Sequence, residues 1–542
     1  MDKKNKILSE NKLKNENHDN SIVKLVNVNK NIDTDEYSAI LEFDFKGYKN
    51  NLEVIRSSYL TKKEIIKMQD YGMDVTEANA SEIIRNLQLQ EKEAPITLVH
   101  SALGFGIFDN KIIFKHFSGI NISSHYNEDL DIEPKGKYDV WYKMVSDYVV
   151  GNVYLETILT IGFSSAIVGL MGFTSSFDSI LVHLCGDSTA GKTTAAMLAI
   201  SIWGNPSTKI NNGLSNTWNS TENAMFNNVI GNHGLAVLFD EVSMIDVNDF
   251  TKFIYKIVGN RDKKRLDKDL NIDDTGTWAS TFISTGEFSL LEKSKKNTGA
   301  KLRIINFDNV SWTMNAESAE IIQKTILKNY GHAGIKFVES LIDKVDISKL
   351  NEELKKVRNK IIMEMENKKI IDKYSNRRSW KYAVLVYTAS KVNEFLNISI
   401  DVEKVCDFLL ENESQSIEGR EMDKVAFDYF LEQVNINYKK FLKSDLLYDD
   451  SKNTSYEIMG KINILDNEKY NEICIPVNLF KKIMKDGGFE DHKIVLKKWK
   501  KSGILDCESD RYTRKRKLFK NGGYISVYVI KINKDECTGN IE

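Results

Sequence analysis

Ser179-Ile180-Leu181-Val182-His183-Leu184-Cys185-Gly186-Asp187-Ser188-Thr189-Ala190-Gly191-Lys192-Thr193-Thr194-Ala195-Ala196-Met197-Leu198-Ala199-Ile200 is the stretch whose reading decides the fold. An apolar strand, a glycine-bracketed loop and a helix N-terminus follow one another. In that order loop amides and a helix dipole converge on negative charge, which is what holding a polyphosphate requires. Gly186 and Gly191 allow backbone conformations that a side chain would obstruct. Asp187, Ser188, Thr189 and Ala190 make the loop between them, and Thr194 continues the helix. The pattern assigns Lys192 to the β- and γ-phosphates and the Thr193 hydroxyl to Mg²⁺. ATP and Mg²⁺ are the expected cofactors.

A second landmark lies 48 residues beyond Lys192, where Gly234-Leu235-Ala236-Val237-Leu238-Phe239-Asp240-Glu241 ends an apolar run in two carboxylates. Such a run predicts a central parallel strand delivering both acids to the sheet edge where α/β proteins bind ligands. Asp240 then acts through the Mg²⁺ shell, and Glu241 orients and polarises the attacking water. A further strand is predicted over Trp278 to Glu287. Its Ser284 and Thr285 either touch the γ-phosphate or the water, or serve ordinary strand-end turn chemistry. Arg303 stands at the start of the apolar Ile304-Ile305-Asn306-Phe307. It is read as a surface cation or, in the favoured reading, as an arginine finger that reaches a neighbouring subunit's nucleotide.

At 542 residues the chain is too long for one core. The expected fold class is α/β, with six segments: a disordered tail over 1–20, an α+β accessory domain over 21–135, a nucleotide-binding core with its preceding helices over 136–316, a helical lid or connector over 317–450, a winged helix over 451–535 and a tail over 536–542. The N-terminal domain is read either as a collar for assembly or DNA threading or as a purely structural accessory. With 42% hydrophobic and 28% charged residues the composition is that of an ordinary soluble protein. The net charge of −2 means that any nucleic-acid contact must come from local patches. The five cysteines are scattered without metal-ligand spacing, which fits a reducing cytoplasm. The Lys/Asn/Glu/Asp tract over Met1 to Asn20 lacks the apolar centre of a secretory leader. Tyr154 to Phe173 approaches membrane-spanning length, but Glu156 and small polar residues interrupt it, so a buried helix and no membrane is the expectation.

Two stretches are candidate nucleic-acid contacts. After Val258 a turn-rich segment carries Lys263, Lys264, Arg265 and Lys268. They track a strand's phosphates or, given the interleaved acids, line a solvated loop. Near the C-terminus two predicted helices are followed by a hairpin around Asn521-Gly522-Gly523, the pattern of a winged helix-turn-helix. Lys481 to Lys520 holds 14 Lys/Arg against 6 Asp/Glu, a net +8 in a nearly neutral chain. Arg514, Lys515, Arg516 and Lys517 are the wing residues a phosphate backbone would attract, although winged helices also make protein contacts.

Taken in order, Gly186 to Thr194, Trp203-Gly204, Thr217-Trp218-Asn219-Ser220-Thr221, Leu238-Phe239-Asp240-Glu241, Ser284-Thr285-Gly286-Glu287, Gly299 to Arg303 and Gly503-Ile504-Leu505 with its basic hairpin form a recognisable series. From about Ser21 to Ile532 the chain resembles the ATPase family of domain of unknown function 927, especially the self-loading, MCM-like helicases of staphylococcal cassette chromosomes and related mobile elements. The resemblance implies an AAA+ P-loop NTPase core, a homo-hexamer, ATP-driven movement along single-stranded DNA, a pore element after Val258, and a C-terminal winged helix. A primase or other replication-accessory protein is a candidate partner. Near Gly259 the chain departs from the expected glycine-rich stretch and reads Gly259-Asn260-Arg261-Asp262-Lys263-Lys264-Arg265. The expected function is an ATP-dependent DNA helicase for replication of a mobile element. The alternatives are a nucleotide-switched initiator or loader that does not unwind, and a small-molecule kinase, against which the basic wing argues.

Overall fold

The computed structural model describes residues 6–8, 23–175, 177–245, 247, 249–262, 276–294, 298–372, 374–418, 422–443, 457–465, 468–489, 492–508, 511–519 and 522–534. At its centre lies a five-stranded, all-parallel sheet. Its spatial order is Ser215–Thr217, Val237–Asp240, Thr281–Gly286, Ile180–Cys185, Ile304–Asp308. The loop strand Ile180–Cys185 is buried at every residue, as a run apolar but for His183 demands of a strand covered on both faces. The strand that ends in the acids is not its neighbour: Thr281–Gly286 runs between them.

Helix Val153–Ser175 is long and apolar enough to cross a membrane by length and composition. Here it forms the centre of the main core, with Leu155 to Met171 buried throughout. The Ser164 hydroxyl meets Thr281 Oγ1 at 2.9 Å, and Trp203 Nε1 donates to the Gly162 carbonyl at 3.0 Å. The helix's own polar atoms are thus satisfied without water, as burial requires.

The domain boundaries differ from the sequence reading in four places. A six-stranded N-terminal sheet packs its own core, including Leu41, Leu52 and Leu87, against helix Ala80–Glu93. Lys6–Leu8, expected in a disordered tail, pairs antiparallel with Asn51 to Glu53 at the edge of that sheet. The hairpin Leu103–Phe108/Lys111–Lys115 turns through Asp109 and Asn110 at positive φ, and inserts Phe105 and Phe114 into the main core instead. Helices His332–Lys344, Leu350–Asn367, Ser375–Leu396 and Val402–Glu418 belong to that same core rather than to a separate lid. Hydrophobic continuity, which a boundary drawn on composition does not register, decides both cases.

The C-terminal unit begins with helix Met422–Ile436 rather than at 451, because Ala426, Phe430 and Val434 pack with Phe480, Trp499 and Tyr528. Helices Val477–Asp486 and His492–Lys501 and the hairpin Arg514–Arg516/Ile525–Asn533 stand where the sequence places them. Strands Phe441–Lys443, Gly460–Asn463 and Tyr470–Pro476 extend the hairpin into a larger sheet that the sequence reading did not include.

Candidate functional site

The glycine-bracketed loop leaves the C-terminal end of the central sheet and feeds directly into helix Lys192–Ser201. Gly186 has φ 132° and Gly191 φ 76°, conformations open to glycine and strained for other residues. A Cβ on Gly191 would lie 2.5 Å from Thr313 Oγ1, so the close approach of that segment also requires glycine. Asp187, Ser188 and Thr189 are exposed at the loop tip, and the Ala190 carbonyl accepts from the Trp312 amide at 2.9 Å. Lys192 is buried, and its Nζ donates to the Gly186 and Asp187 carbonyls at 2.7 and 2.6 Å. The ammonium therefore sits inside the loop's curve. Thr194 accepts from Gln323 Nε2 at 2.7 Å and braces the helix rather than facing the loop.

Thr193 and Asp240 come together across the intervening strand. The Thr193 hydroxyl donates to Asp240 Oδ1 at 3.4 Å, and the Thr285 hydroxyl donates to the same oxygen at 2.6 Å. Thr285 Oγ1 also accepts from the Glu241 amide at 2.9 Å. One hydroxyl at the end of the strand between loop and acids thus fixes both carboxylate residues. Burial pushes the Asp240 carboxyl above its ordinary range; the Thr285 hydroxyl opposes the rise and the Glu241 charge adds to it. Glu241 holds φ 60°, uncommon outside glycine, and its Oε1 accepts from the Ser243 amide at 3.3 Å. Backbone strain of this kind costs on the order of 1 kcal/mol or more and persists where surrounding bonds hold it. A hydroxyl and a carboxylate are hard oxygen donors, the set that with phosphate oxygens holds Mg²⁺. The residues present therefore fit that ion.

Ser284 does not join this group. Adjacent strand residues face opposite sides of a sheet, and Ser284 Oγ accepts from Trp218 Nε1 at 3.1 Å while lying 3.0 Å from His183 Nδ1. His183 Nε2 lies 2.9 Å from the Phe288 carbonyl and must donate to it, which leaves Nδ1 to accept from Ser284. Burial pulls the His183 pKa down to about 4, so the ring is neutral. The Trp218 amide also donates to the Asp240 carbonyl at 3.1 Å. Trp218 and His183 are thus site-supporting residues to which the sequence assigns no role, Trp218 standing there only as part of the series that carries the family resemblance. Just beyond Trp218, Thr221 caps helix Glu222–Asn227 by accepting from the Ala224 amide at 3.3 Å.

Arg303 lies far from its own loop. Ile304 pairs with Leu181, so Arg303 stands at the N-terminal edge of the sheet, while the loop leaves the opposite edge after Cys185. Six residues of strand separate the two levels, roughly 20 Å. The guanidinium donates to the Gly299 carbonyl at 2.9 Å and stacks 3.9 Å from the Tyr255 ring centre. Arg377 is paired with Asp178 at 3.2 Å, and Arg378 is buried against Asp372 and Glu413. Lys263, Lys264, Arg265 and Lys268 lie outside the described residues. In the C-terminal hairpin Arg514 is tied to Asp506 by Nε at 3.2 Å and Nη2 at 2.9 Å, and Arg516 leans on the same carboxylate at 3.7 Å. Lys515 and Lys517 are exposed. The basic hairpin therefore divides into two arginines that hold its shape and two lysines that face solvent.

Fold and site together define a mixed α/β protein with a phosphate-type loop facing a half-buried carboxylate, followed by a helix-turn-helix unit. Residues 4–272 match the model of domain of unknown function 927, and through them the chain belongs to that family. Residues 421–535 match the Cch helix turn helix domain, which agrees with the unit that begins at Met422. The chain is similar to the solved structure described as "SCCmec type IV Cch - active helicase", with a TM-score of 0.75 and 23% identity over 95% of this chain and 93% of that one. At that identity the likeness establishes a shared fold. No curated protein matches the sequence.

Proposed function

We propose that the chain is an AAA+ ATPase that assembles as a hexamer, hydrolyses ATP between subunits, and uses the turnover to move along single-stranded DNA and separate strands during replication of a mobile element. The observation that carries the reading is the meeting of Lys192, Thr193, Asp240, Glu241 and Thr285 at one sheet edge. The likeness to a protein described as an active helicase and the Cch-type helix-turn-helix unit support the choice of DNA as the object of the work.

In this reading the loop amides and Lys192 grip the phosphates, with the ammonium exchanging its carbonyl partners for phosphate oxygens. Thr193 and Asp240 hold Mg²⁺, which when bound neutralises charge on the transferring phosphoryl group. Glu241 orients and polarises the attacking water, and Thr285 holds the Glu241 backbone beside Asp240. Arg303 cannot reach its own subunit's phosphates across roughly 20 Å of sheet, so it acts on a neighbour's. That requirement supports a ring. Lys263, Lys264, Arg265 and Lys268 are assigned to the DNA strand in the pore, and Lys515 and Lys517 to duplex phosphates beside a winged helix.

Strand displacement on a tailed duplex tests the proposal. Wild-type protein with ATP and Mg²⁺ is expected to release the strand, and Lys192→Ala to bind DNA without releasing it. Wild-type protein that hydrolyses ATP and binds DNA yet separates nothing would favour the nucleotide-switched initiator instead.

A further inference from the structure

Arg303 sits in a seat built by two residues to which no role has so far been given, Lys381 and Tyr255. Lys381 belongs to helix Ser375–Leu396, within the helical segment that shares the main core. Its side chain is buried, and its ammonium donates to the Arg303 carbonyl at 2.5 Å and the Leu302 carbonyl at 3.3 Å. A lysine is rarely buried unless its charge is compensated. Here carbonyls of the turn between helix Thr298–Lys301 and strand Ile304–Asp308 provide part of that compensation. Tyr255, on helix Thr251–Val258, supplies the second wall: its ring lies under the guanidinium, whose Nη1 is directed to the Gly299 carbonyl. Backbone and side chain of one arginine are therefore gripped from two different helices. A surface cation needs neither grip, whereas a group that must meet a phosphate on another subunit gains from being pre-positioned.

We infer that Lys381 and Tyr255 are positioning residues that hold Arg303 ready for the nucleotide of an adjacent subunit. The inference rests on the trans role proposed above for Arg303. It adds that the helical segment after the nucleotide core takes part in catalysis through the finger it presents to its neighbour, not through its own subunit's phosphates. Arg377, the other arginine near Arg303, is held to Asp178 and is not part of the seat.

Mixing inactive subunits tests this. Lys192→Ala removes the loop lysine but keeps the finger; Arg303→Ala keeps the loop and removes the finger. Each alone is expected to be inactive, and a mixture should regain ATPase activity at interfaces where an intact loop meets an intact finger. Failure of that control pair overturns the trans reading itself. Given a working control, Lys381→Met and Tyr255→Leu are each mixed with Lys192→Ala. Each seat variant alone should lose about 10²-fold in turnover, keep wild-type affinity for a fluorescent ATP analogue, and recover on mixing as Arg303→Ala does. A seat variant that binds nucleotide normally and either keeps full turnover alone or fails to recover on mixing overturns the inference. Tyr255 is exposed, so Tyr255→Leu decides the matter if Lys381→Met does not fold.

Discussion

Replacing Thr285 with valine keeps the side chain's shape and removes one hydroxyl, and the structure assigns that hydroxyl two bonds. It donates to Asp240 Oδ1 at 2.6 Å and accepts from the Glu241 amide at 2.9 Å. A bond to a charged group contributes about 2 kcal/mol, and an amide left without its acceptor costs about another 1 to 2 kcal/mol. Thr285→Val should therefore destabilise the fold by about 3 kcal/mol and loosen the Asp240 carboxylate and the Glu241 backbone together. A displacement near 1 Å at reacting groups lowers turnover about 10²-fold. Ser284→Ala is the control. It loses the bonds to Trp218 and His183 and so costs about 2 kcal/mol in stability, but it touches neither acid, and its turnover should stay within about threefold of wild type. Steady-state ATP hydrolysis and urea unfolding of both variants, with Thr285→Ser as the rescue, separate the effects. Equal turnover losses in Ser284→Ala and Thr285→Val, or a larger loss in Ser284→Ala, would refute the assignment of the two residues to opposite faces.

Asp240→Asn tests the cost of drawing that carboxylate out of water. A carboxyl whose folded-state pKa is raised stabilises the fold only while protonated and loses that contribution as pH rises; at pH 7 the neutral amide should give a thermal midpoint at least as high as wild type, with ATPase activity abolished, and a lower midpoint would count against it. His100, His116 and His183 are each drawn by burial to about 4 from 6.5. Between those values the unfolded chain binds more protons than the folded one, so stability should fall on acidification from pH 6.5 towards 4, by up to about 1.4 kcal/mol per pH unit for each ring. Urea midpoints that stay flat from pH 7 to 5 would contradict it. Lys515→Ala with Lys517→Ala should lower the slope of log affinity against log salt for duplex DNA by about 2, whereas Arg514→Ala, which breaks the bond to Asp506, should chiefly lower the unfolding temperature of the C-terminal unit.

What was legible in the sequence is what is local. Gly186 to Thr193 encodes a strand end, a loop and a helix start within a few residues, and Lys192 and Thr193 take up the places that this order dictates. Asp240 was legible because an apolar run can deliver its last residue only to a sheet edge. Ser284 and Thr285 were not separable, since which of two neighbours faces the acids depends on register with strands far away in sequence. The supporting role of Trp218 is not legible in the sequence, because its indole's partner lies on another strand of the sheet. The hairpin carrying Phe105 and Phe114 was assigned to the N-terminal domain, because composition does not reveal which core an aromatic ring enters. Helix Val153–Ser175 reads as buried because Glu156 and small polar residues interrupt its apolar run. That carboxylate accepts from the Gly151 amide at 2.8 Å and the Asp401 amide at 3.1 Å, so its charge is used inside the protein.

The central claim is that a triphosphate held against Lys192 and cleaved beside Asp240 and Glu241 drives movement on DNA. The most direct measurement is the rate of ATP hydrolysis by the wild-type protein with and without a saturating single-stranded oligonucleotide. The account predicts turnover that rises on adding the strand and is absent in Lys192→Ala under both conditions. Turnover indifferent to the strand, or surviving in Lys192→Ala, would contradict it.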